Sequence, residues 1–369
     1  MTQTAEIVDG LRAWVAAESP THDKTAVNRV VDLAQAGWQQ AGFTTRRVPG
    51  RDGYGDHILV ESPWGGADEK GILILTHLDT VHEIGAFGDP FQISNGRIRG
   101  PGVLDMKGGA FIALVAAREI ARAGGCALPI RALVTADEEV GSPTSRALIE
   151  REGARAAYVL VTEPARNGGK CVTGRRGVGR YTLTAHGRAA HSGVAHSDGR
   201  SAIREMARQI LALEAMTDYD RGLTLNVGRV SGGTTDNTVP EWCVAYLDVR
   251  MEDAAIAAEI DARLKALAAQ DRDVSLTVEG GINRPPYRKT PGIAALFSKA
   301  QAIARDIGFD LQDVFTGGGS DGSFLAGQIP TLDGIGVDGA GAHTLDEHVE
   351  IASLVPRMML LGRLMDALP

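Results

Sequence analysis

The 369-residue chain is poor in aromatics, at 5%, and holds only three cysteines, Cys126, Cys171 and Cys243. The cysteines are scattered, odd in number and form no Cys-x-x-Cys pair. A disulfide framework or a thiolate metal site is therefore not expected, and the thiols should stay reduced, as in the cytoplasm. No uninterrupted apolar run is long enough to span a bilayer. The opening MTQTAEIVDGLRAWVAAESPT lacks the basic start, apolar core and cleavage site of a signal peptide. Positive charge is also scarce. Lys and Arg number 38 against 46 Asp and Glu, a formal net charge of -8. With no long basic run, neither nucleic acid nor an anionic membrane is expected as a partner. No internal repeat or low-complexity tract is found.

What the chain does have is a core-sized hydrophobic fraction, 44%, in an alternating pattern. Residues 4–17 and 24–42 read as helices. HILVES, GILILTHLD, IRALVTAD and AAYVLVTEP read as strands, and GGAFIALVAAREIARAG as an apolar helix closing on glycine. Strand and helix in turn, with nearly continuous apolar strands, predict an α/β layer around a mostly parallel sheet. From about residue 176 the texture changes. GRYTLTAHG alternates with period two, and the order becomes β-α-β-β-α-β through VSLTVEG. That order predicts a smaller α+β, ferredoxin-like domain with an antiparallel sheet. The expected division is 1–175 and 287–369 for the first domain, with 176–286 inserted.

Each apolar strand of the first domain ends in residues of metal-ligand type. GILILTHLD brings His77 and Asp79, IRALVTADEE brings Glu138 and Glu139, and AAYVLVTEP brings Glu163. Asp105 in GPGVLDMKGG precedes the apolar helix, and His343 lies in GAGAHTLDEHV. In parallel α/β sheets ligands gather beyond the carboxyl ends of the strands, so these side chains should converge. Singly, each has an ordinary reading: a surface strand end, a solvated helix start, a glycine-rich cap. Together they form an N/O donor set suited to zinc, manganese or cobalt.

These pieces, with THLDTV, GRAAHSG, NTVPEWCVAYLDVR and GGGSDGS, resemble the M20 family of dinuclear zinc peptidases, and most of all its glutamate carboxypeptidase branch. The resemblance implies two Zn2+ per chain, with Co2+ or Mn2+ also possible. Asp105 would bridge the ions; His77 and Glu163 would complete one site, Glu139 and His343 the other. Asp79 would orient His77. Glu138 would be the general base for a water held by the ions. The inserted domain would act as lid and dimerisation unit, with His191 stabilising the oxyanion in the partner subunit of a homodimer. Asn237 and Arg250 would hold the substrate's free carboxylate, a bidentate task suited to arginine. Gly319 and Ser320 would line the substrate site. Lys170, and less directly Arg284, would favour an acidic side chain. The implied reaction is hydrolysis of a small N-acyl amino acid or peptide, releasing a C-terminal amino acid, glutamate above others.

Alternatives remain at this stage. An aminoacylase, an acetylornithine-type deacetylase or a dipeptidase would use the same metal core. GGSDG also fits the Gly-x-Ser-x-Gly pattern of a serine hydrolase, with Ser320, Asp338 and His343 in order. That reading leaves His77, Asp105, Glu138, Glu139 and Glu163 unexplained. A metal- or peptide-binding protein without turnover would have no use for a non-ligand carboxylate such as Glu138.

Overall fold

The computed structural model describes residues 3–66 and 68–369. The chain divides into two compact units, Met1–Gly174 with Lys289–Phe315 and Ser320–Pro369, and Arg175–Arg288 with Thr316–Gly319. The segment Thr316–Gly319 thus groups with the second unit, where the sequence division placed it in the first.

The first unit is built on a six-stranded sheet. Its order in space is Thr44–Val48, His57–Glu61, Ile130–Thr135, Gly71–His77, Ala156–Val161 and Thr331–Leu332. The last four strands run parallel, and the first two form an antiparallel edge. Strand Gly71–His77 is central and buried along its whole length. Its sequence GILILT needs no polar alternation because both faces are covered. Ile72 and Ile74 enter the larger core cluster with the helices, while Leu73 and Leu75 enter a smaller cluster with Phe324 and Leu325. Truncating such a side chain to alanine costs about 2–5 kcal/mol.

Helix Gly108–Arg122 lies in the larger cluster and is apolar over most of its surface. Its start explains the paired glycines of KGG. A Cβ on Gly109 would stand 1.9 Å from the carbonyl oxygen of Thr162. Only glycine allows the helix start to approach the strand end that carries Glu163.

The second unit is a four-stranded antiparallel sheet with two helices. The strand order is Thr224–Gly232, Trp242–Met251, Gly177–His186, Ser275–Arg284. Along Trp242–Met251 burial alternates, and Cys243, Ala245, Leu247, Val249 and Met251 form one inward face. Helices Ala202–Glu214 and Ala254–Lys265 contribute to this core, capped at their starts by the side chains of Ser201 and Asp253. The edge strand Thr224–Gly232 is mostly exposed. All three cysteines are unpaired. Among the described residues no helix is long and apolar enough to cross a membrane.

Candidate metal centre

The carboxyl ends of the parallel strands bring a cluster together. His77 ends its strand and is 1% exposed, and Glu163, two residues beyond Val161, is 4% exposed. Glu138 and Glu139 open a short turn after strand Ile130–Thr135. Asp105 comes from the turn Val103–Lys107, which leads into the apolar helix. His343 stands on a loop after Gly339–Ala340 with a left-handed backbone, φ 64°. Ligand atoms of His77, Asp105 and Glu139 lie within 4.8 Å of one another, as do those of His77, Glu138 and Glu163.

Asp105 occupies the middle. Its Oδ1 is 3.3 Å from His77 Nε2, and its Oδ2 is 3.4 Å from His343 Nε2. Glu163 Oε1 joins the His77 side at 3.6 Å, and Glu139 Oε2 joins the His343 side at 3.2 Å. One carboxylate therefore turns its two oxygens toward two half-sites, each with one histidine and one further acid.

The protonation balance follows from this crowding. Burial pushes Glu139 up to about 8, against its hydrogen bond to His343 and with repulsion from Asp105 and Glu138. Hydrogen bonds to Asp105 and Glu139 raise His343 to about 10, although burial opposes them. Burial would lower His77, but Asp105, Asp79 and Glu163 outweigh it and hold the imidazole well above its usual value. Burial would raise Asp105, yet its bonds to His343 and His77 hold it far below the carboxylate range. All four shifts mean one thing: these carboxylates require positive charge among them, as protons or as cations. One buried oxygen, Glu139 Oε1, also has no hydrogen-bond partner. The donor set is imidazole and carboxylate, which suits a zinc-class divalent ion.

The neighbours of the cluster give the three consecutive acids three different surroundings. Asp137 is fully buried and spends its carboxylate on the loop that follows. It accepts from the backbone and hydroxyl of Thr144, both at 2.7 Å, and from the hydroxyl of Ser145 at 2.6 Å. Glu139 faces His343, and Glu138 falls into the group with His77 and Glu163. Asp79 positions the last two. Its carboxylate accepts the backbone N–H groups of Glu138 and Glu139, each at 3.2 Å, and the Thr21 hydroxyl at 2.8 Å. Burial would raise Asp79, but His77, Thr21 and the Glu139 N–H keep it low. The His77 ring faces both the main chain and the carboxylate of Asp79. His77 Nδ1 is 3.0 Å from the Asp79 carbonyl oxygen and 3.5 Å from the carboxylate.

Ser320 is fully buried, and its hydroxyl donates to Asp333 at 2.6 Å. The next residue, Asp321, accepts from Thr135 at 3.0 Å and from Ser142. With His343 committed to Asp105 and Glu139, the Ser320–Asp338–His343 triad is overturned. The Ser320 side chain serves the loop's own structure. Lys170 closes a tight hairpin with Arg166, paired through the backbone in both directions at 2.7 Å. It is Arg166 whose Nη2 stands 4.0 Å from Glu163 Oε2. This cation was passed over in the sequence, although it follows the ligand-type glutamate by three residues.

In the second unit His191 and Asn237 are neighbours. The short strands Ala190–His191 and Thr238–Val239 pair, and the Ser192 N–H donates to the Asn237 carbonyl at 2.9 Å. His191 is exposed, and its Nδ1 accepts from the Gly193 N–H at 3.2 Å. Neutral His191 therefore carries its proton on Nε2. Arg250 grips Asp248 through two bonds of 2.6 and 2.9 Å and donates to the Gly317 carbonyl at 3.2 Å. Arg284 is 3% exposed and packs against Gly319, where a Cβ would stand 2.8 Å from Arg284 Cγ.

A parallel sheet with a histidine–carboxylate cluster at its carboxyl end, and a glutamate beside it, defines a metal-dependent hydrolase. The chain belongs to peptidase family M20/M25/M40, which it matches over residues 73–367. It is 29% identical to carboxypeptidase G2 of Pseudomonas sp. (strain RS-16), over 97% of this chain and 88% of that one. It is 31% identical to succinyl-diaminopimelate desuccinylase 2 of Shewanella loihica, over 71% of this chain and 74% of that one. Its fold is similar to that of aminopeptidase PepT from Bacillus cereus, with a TM-score of 0.78, 22% identity and coverage of 99% and 98%.

Proposed function

We propose that this M20 hydrolase cleaves the amide bond of a small N-acyl amino acid or peptide and releases an amino acid with a free carboxylate, glutamate above others. The observation that carries the reading is Asp105, set between His77 and His343 with one oxygen toward each. His77, Asp105 and Glu163 would hold one ion; His343, Asp105 and Glu139 would hold the second. Zinc suits both half-sites, and cobalt or manganese fits the same donors. When bound, such ions lower the pKa of a water and polarise the amide carbonyl. Glu138 then takes the proton of the attacking water on its carboxylate and hands it to the leaving nitrogen. Asp79, through the two backbone N–H groups it accepts, sets where Glu138 and Glu139 point.

Arg250 and Asn237 are assigned to the substrate's α-carboxylate. The pairing of Arg250 with Asp248 supports this, because it displays a bidentate carboxylate in the grip of the guanidinium. Lys170 is assigned to an acidic side chain. His191 is assigned to the developing oxyanion in the partner subunit of a homodimer, supported by its exposure and by the open edge strand Thr224–Gly232. The unpaired cysteines support a reducing, cytoplasmic setting.

The glutamate preference draws on the likeness to carboxypeptidase G2. The likeness to a succinyl-diaminopimelate desuccinylase favours a second reading, in which the acyl group is succinyl and carries a carboxylate of its own. A turnover screen separates them. N-acyl glutamates with free and amidated α-carboxylates are compared with N-succinyl amines, each with and without chelator. Turnover of N-acyl glutamates that collapses on amidation and is indifferent to the acyl group supports the first reading. Turnover confined to N-succinyl substrates supports the second. Activity that survives chelation rejects both.

A further inference from the structure

The oxygens of Asp105 can serve two half-sites only if the turn that carries Asp105 is held in register with the loop that carries His343. Glu347 does the holding. It is fully buried. Its Oε1 accepts the backbone N–H groups of Leu104 at 2.8 Å and Asp105 at 2.9 Å. Its Oε2 accepts the Gly102 N–H at 3.2 Å and faces His82 Nε2 at 2.6 Å. The main chain adds to the tie, since the Gly100 N–H donates to the Glu347 carbonyl at 3.3 Å. The His82 ring is fixed in turn, edge-on to Phe87 with centroids 4.9 Å apart. Glu347 follows His343 by four residues, and the intervening turn is closed by the Thr344 N–H to Gly341 and the Glu347 N–H to Thr344.

We infer that Glu347 is a positioning residue for the metal centre: its carboxylate receives the backbone of 102–105 and sets the shared ligand Asp105 against His343. The inference rests on the reading of Asp105 as the shared ligand. The physical ground is that charge-assisted bonds to a buried carboxylate are the strong ones, and here three of them, from Gly102, Leu104 and Asp105, converge from one turn. Partners that orient a ligand typically change metal affinity 10- to 100-fold when removed.

The test uses the full chain and zinc as probe. Glu347→Gln keeps the size but sets an NH2 group against N–H donors. Zinc affinity, read by competition with a chromophoric chelator, should fall about 10- to 100-fold, and more at the half-site of Glu139 and His343. In the metal-free protein, amide exchange at Gly102, Leu104 and Asp105 should quicken. Parental zinc affinity in this variant overturns the inference, and so does faster exchange without any change in affinity, which would leave a purely structural tie. Should Glu347→Gln fail to fold, Glu347→Asp keeps the charge one methylene back, and parental affinity there overturns it equally. If the parent itself binds fewer than two ions, the shared-ligand reading has failed, while the exchange at 102–105 still reports whether Glu347 holds the turn.

Discussion

The carboxyl end of the parallel sheet and the functional residues of the antiparallel sheet use similar side chains under opposite conditions. In the first region His77, Asp105 and Glu163 are buried, Glu139 is half-buried, all are crowded, and one buried oxygen of Glu139 has no partner. In the second, His191 and Asn237 are exposed and Arg250 is half-buried, and each already has a local partner. An unbalanced buried cluster specifies what must complete it, here divalent cations. A balanced exposed group specifies much less, because a ligand must first compete with what is there. Under the proposed function, Arg250 would have to exchange Asp248 for a substrate carboxylate. The first region thus points to metal chemistry, whereas the second, with its groups already partnered, does not by itself name a ligand.

The sharpest break of this contrast is Glu138→Gln. The metals should stay, and turnover should fall on the order of 100- to 10,000-fold, as for loss of a general base. Metal analysis and kcat on one preparation decide it; near-normal kcat would move the base elsewhere.

The next effect is in pH. In the metal-free protein, Glu139 at about 8 and His343 at about 10 lie above their ordinary values of 4.5 and 6.5. The folded state therefore holds protons that the unfolded chain has released. The stabilisation these groups give is complete below the ordinary values and is lost as pH rises through about 8 and then about 10. Ions displace the same protons, so zinc affinity should rise roughly tenfold per pH unit for each proton released. Thermal unfolding should show the chelated protein losing stability from pH 6.5 toward pH 10, and the zinc form losing less. Parallel profiles would contradict the proton balance.

Smaller effects belong to the second region and to Lys170. Arg250→Ala should cost about ten- to a hundredfold in kcat/KM for substrates with a free α-carboxylate, in line with roughly 1.5–3 kcal/mol for a charge-assisted contact. It should cost little for their amides. Lys170→Ala should cost less again, and only for acidic side chains. An equal loss on glutamate and glutamine substrates would make Lys170 a purely structural residue of its hairpin.

The sequence shows the first region more fully than the second for a physical reason. A buried parallel strand must be apolar throughout, so GILILT, IRALVT and AAYVLV announce where they end, and His77, Glu139 and Glu163 stand at those ends. Residues whose partners are backbone N–H groups leave no such mark. Asp137 accepts from Thr144 and Ser145, and Glu347 accepts the backbone of the Asp105 turn, and nothing in their sequence surroundings marks either role. Ser320 shows the converse error, a serine in a catalytic-looking pattern whose hydroxyl is buried against Asp333. The grouping of Thr316–Gly319 with the second unit rests on contacts such as Gly317 with Arg250, distant in sequence and without periodic signal.

Whether one carboxylate serves two ions is read from the zinc content of Asp105→Ala. Parent and variant are equilibrated with the same free zinc and measured for metal per chain. About two ions are expected in the parent, as a two-metal centre requires, with loss from both half-sites in a variant that still folds. A folded Asp105→Ala protein that retains two ions at parental affinity would contradict the sharing of Asp105.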